Sequence, residues 1–366
     1  MTEKLRSALD QIDDPRRELG RKHFLNDILV ISIIAIISGA ETWNNIEDYA
    51  KIKESFLRSF LRLPHGIPSH DTFNRVFSII DPEQFEKCFI DWFQSAVKIE
   101  MGEFISIDGK TIRGAKSKGK KSPFHIVSAW ASKANLVLGQ VMTDEKSNEI
   151  TAIPQLIEIL DLKETVVTID AMGCQVEIAK CIIDNEADYI LAVKNNQKTL
   201  YEDTEFSFSK TKTDKTHETI EGNHGRIETR VCCVITDLKD IEFKAKWKNL
   251  KSIIRIESTR EFKNSDKPME QATRYYISSI DSTAEYFQKA IRSHWSIENK
   301  LHWTLDVAFG EDASRKRTGN SARNFSTLLK IALNLLKKET SLKQGIKGKR
   351  LKAGWDVKYL LKVLSF

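Results

Sequence analysis

Three acidic residues stand where an acid is costly. Asp108 follows the apolar, strand-like run Phe104-Ile105-Ser106-Ile107, and Asp170 follows a second such run, Thr165-Val166-Val167-Thr168-Ile169. Glu298 lies in Arg292-Ser293-His294-Trp295-Ser296-Ile297-Glu298-Asn299, a stretch with helical spacing. A carboxylate at the end of a buried strand loses its hydration unless something positive compensates it. For one acid alone, an ion pair with a local Arg or Lys would suffice. For three, a pair of hard divalent cations fits best, because such ions take oxygen ligands and support phosphoryl transfer. His294 and His302, flanking Glu298, invite a zinc reading. Geometry excludes it: eight residues of helix rise about 12 Å, too far for two histidines to share an ion at bonds of about 2 Å.

Basic residues follow the first acid closely. Lys110, Arg113, Lys116, Lys118, Lys120 and Lys121 occur without an acid among them, and a second run spans Lys337 to Lys352 with Glu339 alone opposing it. Such runs are often solvated loops. Two of them beside a candidate cation site favour a polyanion such as DNA. The net excess over the 366 residues is +6, from 57 Lys and Arg against 51 Asp and Glu, so placement matters more than amount. Five cysteines without zinc-ribbon spacing read as reduced thiols of a cytoplasmic protein. The apolar run Ile28 to Ile37 is about half the ~20 residues of a membrane span and reads as a buried helix, so no membrane partner is expected.

The elements that must position these acids follow from periodicity. Residues 1–100 read as an all-helical segment. Within it, Gly66-Ile67-Pro68-Ser69-His70-Asp71 supplies a turn and an N-cap, compatible with a helix-turn-helix or with plain bundle packing. Strand formers then occupy 104–108, 125–132 and 136–142, followed by a helix at 149–160, a strand ending at Asp170, a helix at 176–185 and a strand at 189–193. This order predicts a mixed α/β sheet of five strands, an antiparallel meander continued by parallel strands with helical crossovers. If the strand ending at Asp170 pairs parallel with the first, both acids emerge side by side. Residues 201–281 read as a β-rich insertion, and 282–366 as the helix carrying Glu298 and basic C-terminal helices. On that helix, Ile291, Trp295, Glu298, His302 and Leu305 fall on one face, predicted to meet the sheet.

The segments ISIDGKTIRGA, VTIDAMG, AVKNNQ, NHGRIETR and above all RSHWSIENKLHWTLDVAFGEDASR resemble the DDE transposases of bacterial insertion sequences, in the branch that includes the H-repeat-associated proteins. The resemblance covers nearly the whole chain. It implies an RNase H-like core in which Asp108, Asp170 and Glu298 are the metal-binding catalytic acids. It also implies two Mg²⁺ ions, with Mn²⁺ able to substitute, and cleavage of double-stranded DNA at terminal inverted repeats with transfer into target DNA by a homodimer. DNA contacts would fall to Lys110, Arg113, Lys194, Asn195, Gln197, His224, Arg226, Arg292, His294, Trp295, His302, Arg315 and Arg317. The chain departs from related families around the glutamate: His294 stands at the usual arginine position and Leu305 at the usual lysine position. Asp306, Glu311 and Asp312 are alternative third acids. A silent DNA-binding derivative and a general RNase H-like nuclease are the competing functions.

Overall fold

A computed structural model describes residues 3–114, 124–143, 149–213, 215–223, 225–263 and 267–365. Six helices lead: α1 (Glu3–Leu9), α2 (Leu25–Ile37), α3 (Trp43–Ile52), α4 (Glu54–Leu57), α5 (His70–Ile79) and α6 (Pro82–Ala96). The apolar run predicted to be buried is α2, whose residues Ile28 to Ile37 are all shielded from solvent. Caps fix the helix starts: Thr42 and Asn45 form a reciprocal capping box on α3, and Ser69 accepts from Thr72 N–H at the head of α5.

The sheet comes next: β1 (Phe104–Thr111), β2 (His125–Ala131), β3 (Leu136–Thr143), α7 (Glu149–Ile159), β4 (Val166–Ile169), α8 (Val176–Asp184), β5 (Asp188–Val193) and α9 (Lys198–Lys210). Four longer strands follow, β6 (Lys215–Asn223), β7 (Arg226–Ile235), β8 (Ser252–Phe262) and β9 (Glu270–Ser278). The chain closes with α10 (Ala284–Ile297), a π-turn at Glu298–His302, α11 (Trp303–Phe309), α12 (Ser321–Lys338), α13 (Ile346–Trp355) and α14 (Val357–Val363).

Among the described residues the strands form one mixed sheet of nine, ordered β3-β2-β1-β4-β5-β9-β8-β7-β6. The expectation of five strands with a separate insertion is therefore corrected. The reason is the open edge of β5: β9 pairs with it antiparallel, Ile190 opposite Ser278 to Val193 opposite Tyr275, and the insertion continues the ladder. β1 and β4 are parallel neighbours, as are β4 and β5, while β2 and β3 run antiparallel to β1.

On one side of the sheet α12 packs against β3 and against α2, α5 and α6, so the leading helices and the sheet share a continuous apolar core. Each fully buried Leu or Ile there contributes about 1.5–3 kcal/mol. Asn334 of α12 both donates to Val137 C=O at 2.8 Å and accepts from Val137 N–H at 2.9 Å, tying the helix to β3. No helix among the described residues is long and apolar enough to cross a membrane.

Candidate active site

The parallel register fixes the first two acids. Ile107 of β1 lies opposite Ile169 of β4, so the next residue of each strand, Asp108 and Asp170, emerges at the same level. Asp108 does not end its strand as the sequence suggested. β2 keeps pairing, Asp108 opposite Ser128 and on to Thr111 opposite His125, because the antiparallel ladder outlasts the parallel one. Asp170 leaves the ladder and accepts from Met172 N–H at 3.0 Å and Gly173 N–H at 3.4 Å, capping a short turn.

The third acid arrives on a distorted helix. α10 is docked on the sheet by buried polar contacts: His294 Nδ1 meets Thr168 Oγ1 at 3.0 Å, and Trp130 Nε1–H donates to Ser296 Oγ at 3.0 Å. The helix then widens into the π-turn at Glu298–His302. Such an inserted residue rotates the faces before and after it, so the single face predicted from α-helical spacing is not kept. Ile291, His302 and Leu305 are buried, but Trp295 is 50 % exposed, its ring under the Arg274 guanidinium, and Glu298 faces solvent at the mouth of the site. His302 Nε2 comes to 3.3 Å from Asp108 Oδ2, and α10, which leads into Glu298, packs on β1.

The electrostatics follow. Burial works against the Asp108 charge, yet the His302 ring beside it holds its carboxyl below the usual range. Burial, then the Asp108 and Glu149 charges, push Asp170 up. Burial also raises Glu298, with Asp108 adding to it and His302 opposing. His294 is pushed down by its burial, so it sits as a neutral ring. Among the described residues none of these three carboxylates has an Arg or Lys ion pair, and such a set of oxygen donors fits a hard divalent cation. Among the same residues no three His, Cys, Asp or Glu side chains stand at ligating spacing.

Lys110 is not available to phosphate as the sequence suggested. Its ammonium pairs with Asp306, with Glu311 at 3.0 Å and with Asp312 at 3.6 Å, and these partners hold it charged above the usual lysine range despite burial. The same contacts occupy the alternative third acids. His294 and His302, also expected to touch DNA, are turned inward to Thr168 and Asp108. Gln197 donates to Cys174 C=O and Gln175, bracing the loop after Asp170. Asn196, which sequence reasoning missed, does the same through Ala171 C=O at 2.7 Å.

The other basic residues line the approach. Arg226, Arg230, Arg274, Arg292 and Trp295 flank a groove of about 760 Å³ between α10 and strands β7–β9. Lys194 and Asn195 line a second hollow of about 620 Å³ with Asp170, Tyr201 and Tyr276. Arg113 and Arg315 are exposed, and Arg317 donates to Gly114 C=O. His224 lies outside the described residues.

Comparison with known proteins agrees along the chain. The family description "DDE_Tnp_1-associated" matches residues 6–93 and "Transposase DDE domain" matches residues 100–335. The chain is 47 % identical to "Putative transposase YncI" of Escherichia coli O157:H7, covering 99 % of this chain and 95 % of that protein. It is 42 % identical to "H repeat-associated putative transposase YhhI" of Escherichia coli K12, covering 99 % and 98 %. Among solved structures, the piggyBac transposase synaptic complex with hairpin DNA aligns with a TM-score of 0.48 at 13 % identity, over 100 % of this chain and 80 % of that one. With a family match over residues 100–335 and relatives of this identity along almost its entire length, the chain belongs to the DDE transposase family.

Proposed function

We propose that this transposase cleaves DNA at the ends of its mobile element and joins them to target DNA by cation-dependent phosphoryl transfer, with Asp108, Asp170 and Glu298 as the catalytic acids. The observation that carries the reading is the parallel register of β1 and β4, which sets Asp108 beside Asp170, with α10, the helix leading into Glu298, packed on β1. Strands β3-β2-β1-β4-β5 are read as an RNase H-like core extended by β9 to β6.

The three carboxylates would hold Mg²⁺ or Mn²⁺, which when bound activate the attacking oxygen and stabilise the leaving 3′-oxygen. The rest falls to the protein. His302 keeps Asp108 ionised, and Asn196 and Gln197 hold the turn that presents Asp170. Arg226 and Arg274 attract the phosphate backbone to the groove beside Glu298, where Arg292 is held by Glu221 at 2.5 Å, and Arg113, Arg315 and Arg317 add exposed positive charge. Acting on two element ends at once calls for a homodimer on DNA.

Purified protein is therefore expected to nick duplexes carrying the terminal repeats that flank its gene, in Mg²⁺ or Mn²⁺ and not in EDTA. Asp108→Ala is expected to bind the same duplex and leave it intact. Wild-type protein that binds those ends and never nicks them overturns the reading in favour of a silent DNA-binding derivative.

A further inference from the structure

A buried His–Glu contact lies on the strand that carries Asp108. Glu149, the first residue of α7, is 4 % exposed, and His125 of β2 is 1 % exposed. His125 Nδ1 meets Thr111 Oγ1 at 3.0 Å on one side. On the other, its Nε2 stands 3.2 Å from Glu149 Oε2, without the angle of a good hydrogen bond.

Both side chains rest on the backbone next to Asp108. A Cβ at Gly109 would lie 2.3 Å from His125 Nε2 and 2.4 Å from Glu149 Oε1, closer than atoms can approach. The absence of a side chain at Gly109 is what lets this pair reach β1 there. α7, which Glu149 heads, also packs against the turn at Ala171–Gly173 that follows Asp170, and Ile150 next to Glu149 lines the same hollow as Asp170. A contact serving stability alone has no need to lie on β1 one residue from Asp108. Burying the Glu149 carboxylate there costs desolvation and puts a further acid where two already stand.

We propose that Glu149, oriented by His125, is a positioning residue of the catalytic centre, a fourth carboxylate that strengthens divalent-cation binding from the Asp170 side. The inference rests on Asp108, Asp170 and Glu298 being the cation ligands. A carboxylate close behind metal ligands raises their affinity through its charge, and removing such a partner typically weakens binding 10- to 100-fold.

The test is titration of the full-length protein with Mn²⁺, following the free ion by electron paramagnetic resonance. Wild type, Glu149→Gln, Glu149→Asp and Asp108→Asn are compared, with circular dichroism and melting curves as the check on folding. Glu149→Gln keeps the shape and the His125 contact but loses the charge, so its Mn²⁺ Kd is expected to rise about 10-fold or more. Glu149→Asp is expected to recover most of the affinity, which a purely structural role would not produce. If Glu149→Gln does not fold, Glu149→Ala is read in its place, since it removes the same charge without touching β1. Mn²⁺ affinity lost in Asp108→Asn but unchanged in Glu149→Gln, or in the Glu149→Ala substitute, overturns this inference alone. Wild type that takes up no Mn²⁺ overturns the cation reading of the three acids, and this inference with it.

Discussion

Lys110 and Arg113 lie three positions apart on one basic segment, and burial assigns them opposite work. The Lys110 side chain is 12 % exposed and neutralises Glu311, which is 3 % exposed. Glu311 in turn accepts from Ser326 Oγ at 2.9 Å and lies 3.9 Å from the buried Lys330 ammonium. Removing one member of such a network strands a buried charge, so Lys110→Met is expected to destabilise the fold by about 3–5 kcal/mol in urea unfolding. The Arg113 side chain is 85 % exposed. Arg113→Ala is expected to leave stability within about 0.5 kcal/mol and to lower the salt dependence of DNA binding by about one counterion. The sequence could not separate the two, because the partners of Lys110 lie about two hundred positions downstream and meet it only in the folded core. The buried strands before Asp108 and Asp170 were legible for the opposite reason, since an apolar run announces itself locally, though only Asp170 also marks its strand's end.

At the scale of elements, the π-turn at Glu298–His302 joins α10, docked on the sheet, to α11 with a change of facing between them. His302, at its end, is the residue that stands against Asp108. Deleting the exposed Asn299 is expected to restore a continuous α-helix and keep the helical circular dichroism. Nicking is expected to be lost, because the deletion turns His302 and all of α11 by about 100° relative to α10 and takes His302 away from Asp108. The π-turn left no trace in the sequence, since its residues fit α-helical spacing locally and it becomes evident only against the sheet. β6 was missed as well: Lys215 to Asn223 is almost wholly polar, and its strand form comes from pairing with β7 rather than from apolar alternation.

Among the helices, Glu47 of α3 accepts from the His70 backbone N–H at 2.7 Å and from the His70 ring, and it pairs with Lys51. The Lys51 hydrogen bond, then the two from His70, lower its carboxyl to about 2 from 4.5. Because the folded value is the lower one, this contribution is complete above about pH 4.5 and lost as pH falls toward the folded value. Wild type is therefore expected to melt above Glu47→Gln near neutral pH, with the gap narrowing steadily in melts taken down to about pH 3.

Across the whole molecule, a buried polar chain joins the leading helices to the site. Arg323 of α12 donates to Glu86 of α6, Glu86 accepts from Gln140 of β3 at 3.0 Å, and Gln140 accepts from Ser326, which reaches Glu311 and so Lys110. Helices and sheet therefore hold β1, and with it Asp108, in one place. Element types along the chain were readable from periodicity, while the nine-stranded continuity was not, because nothing local to β9 records which edge it will join.

The central claim is that Asp108 and Glu298 bind the cations that drive strand cleavage, and a change of ligand softness tests it most directly. Thiolate ligands suit Mg²⁺ poorly and tolerate Mn²⁺ better. Asp108→Cys and Glu298→Cys are expected to bind terminal-repeat DNA normally, to be inert in Mg²⁺, and to recover measurable nicking in Mn²⁺. Full Mg²⁺-dependent nicking by either variant would contradict the account.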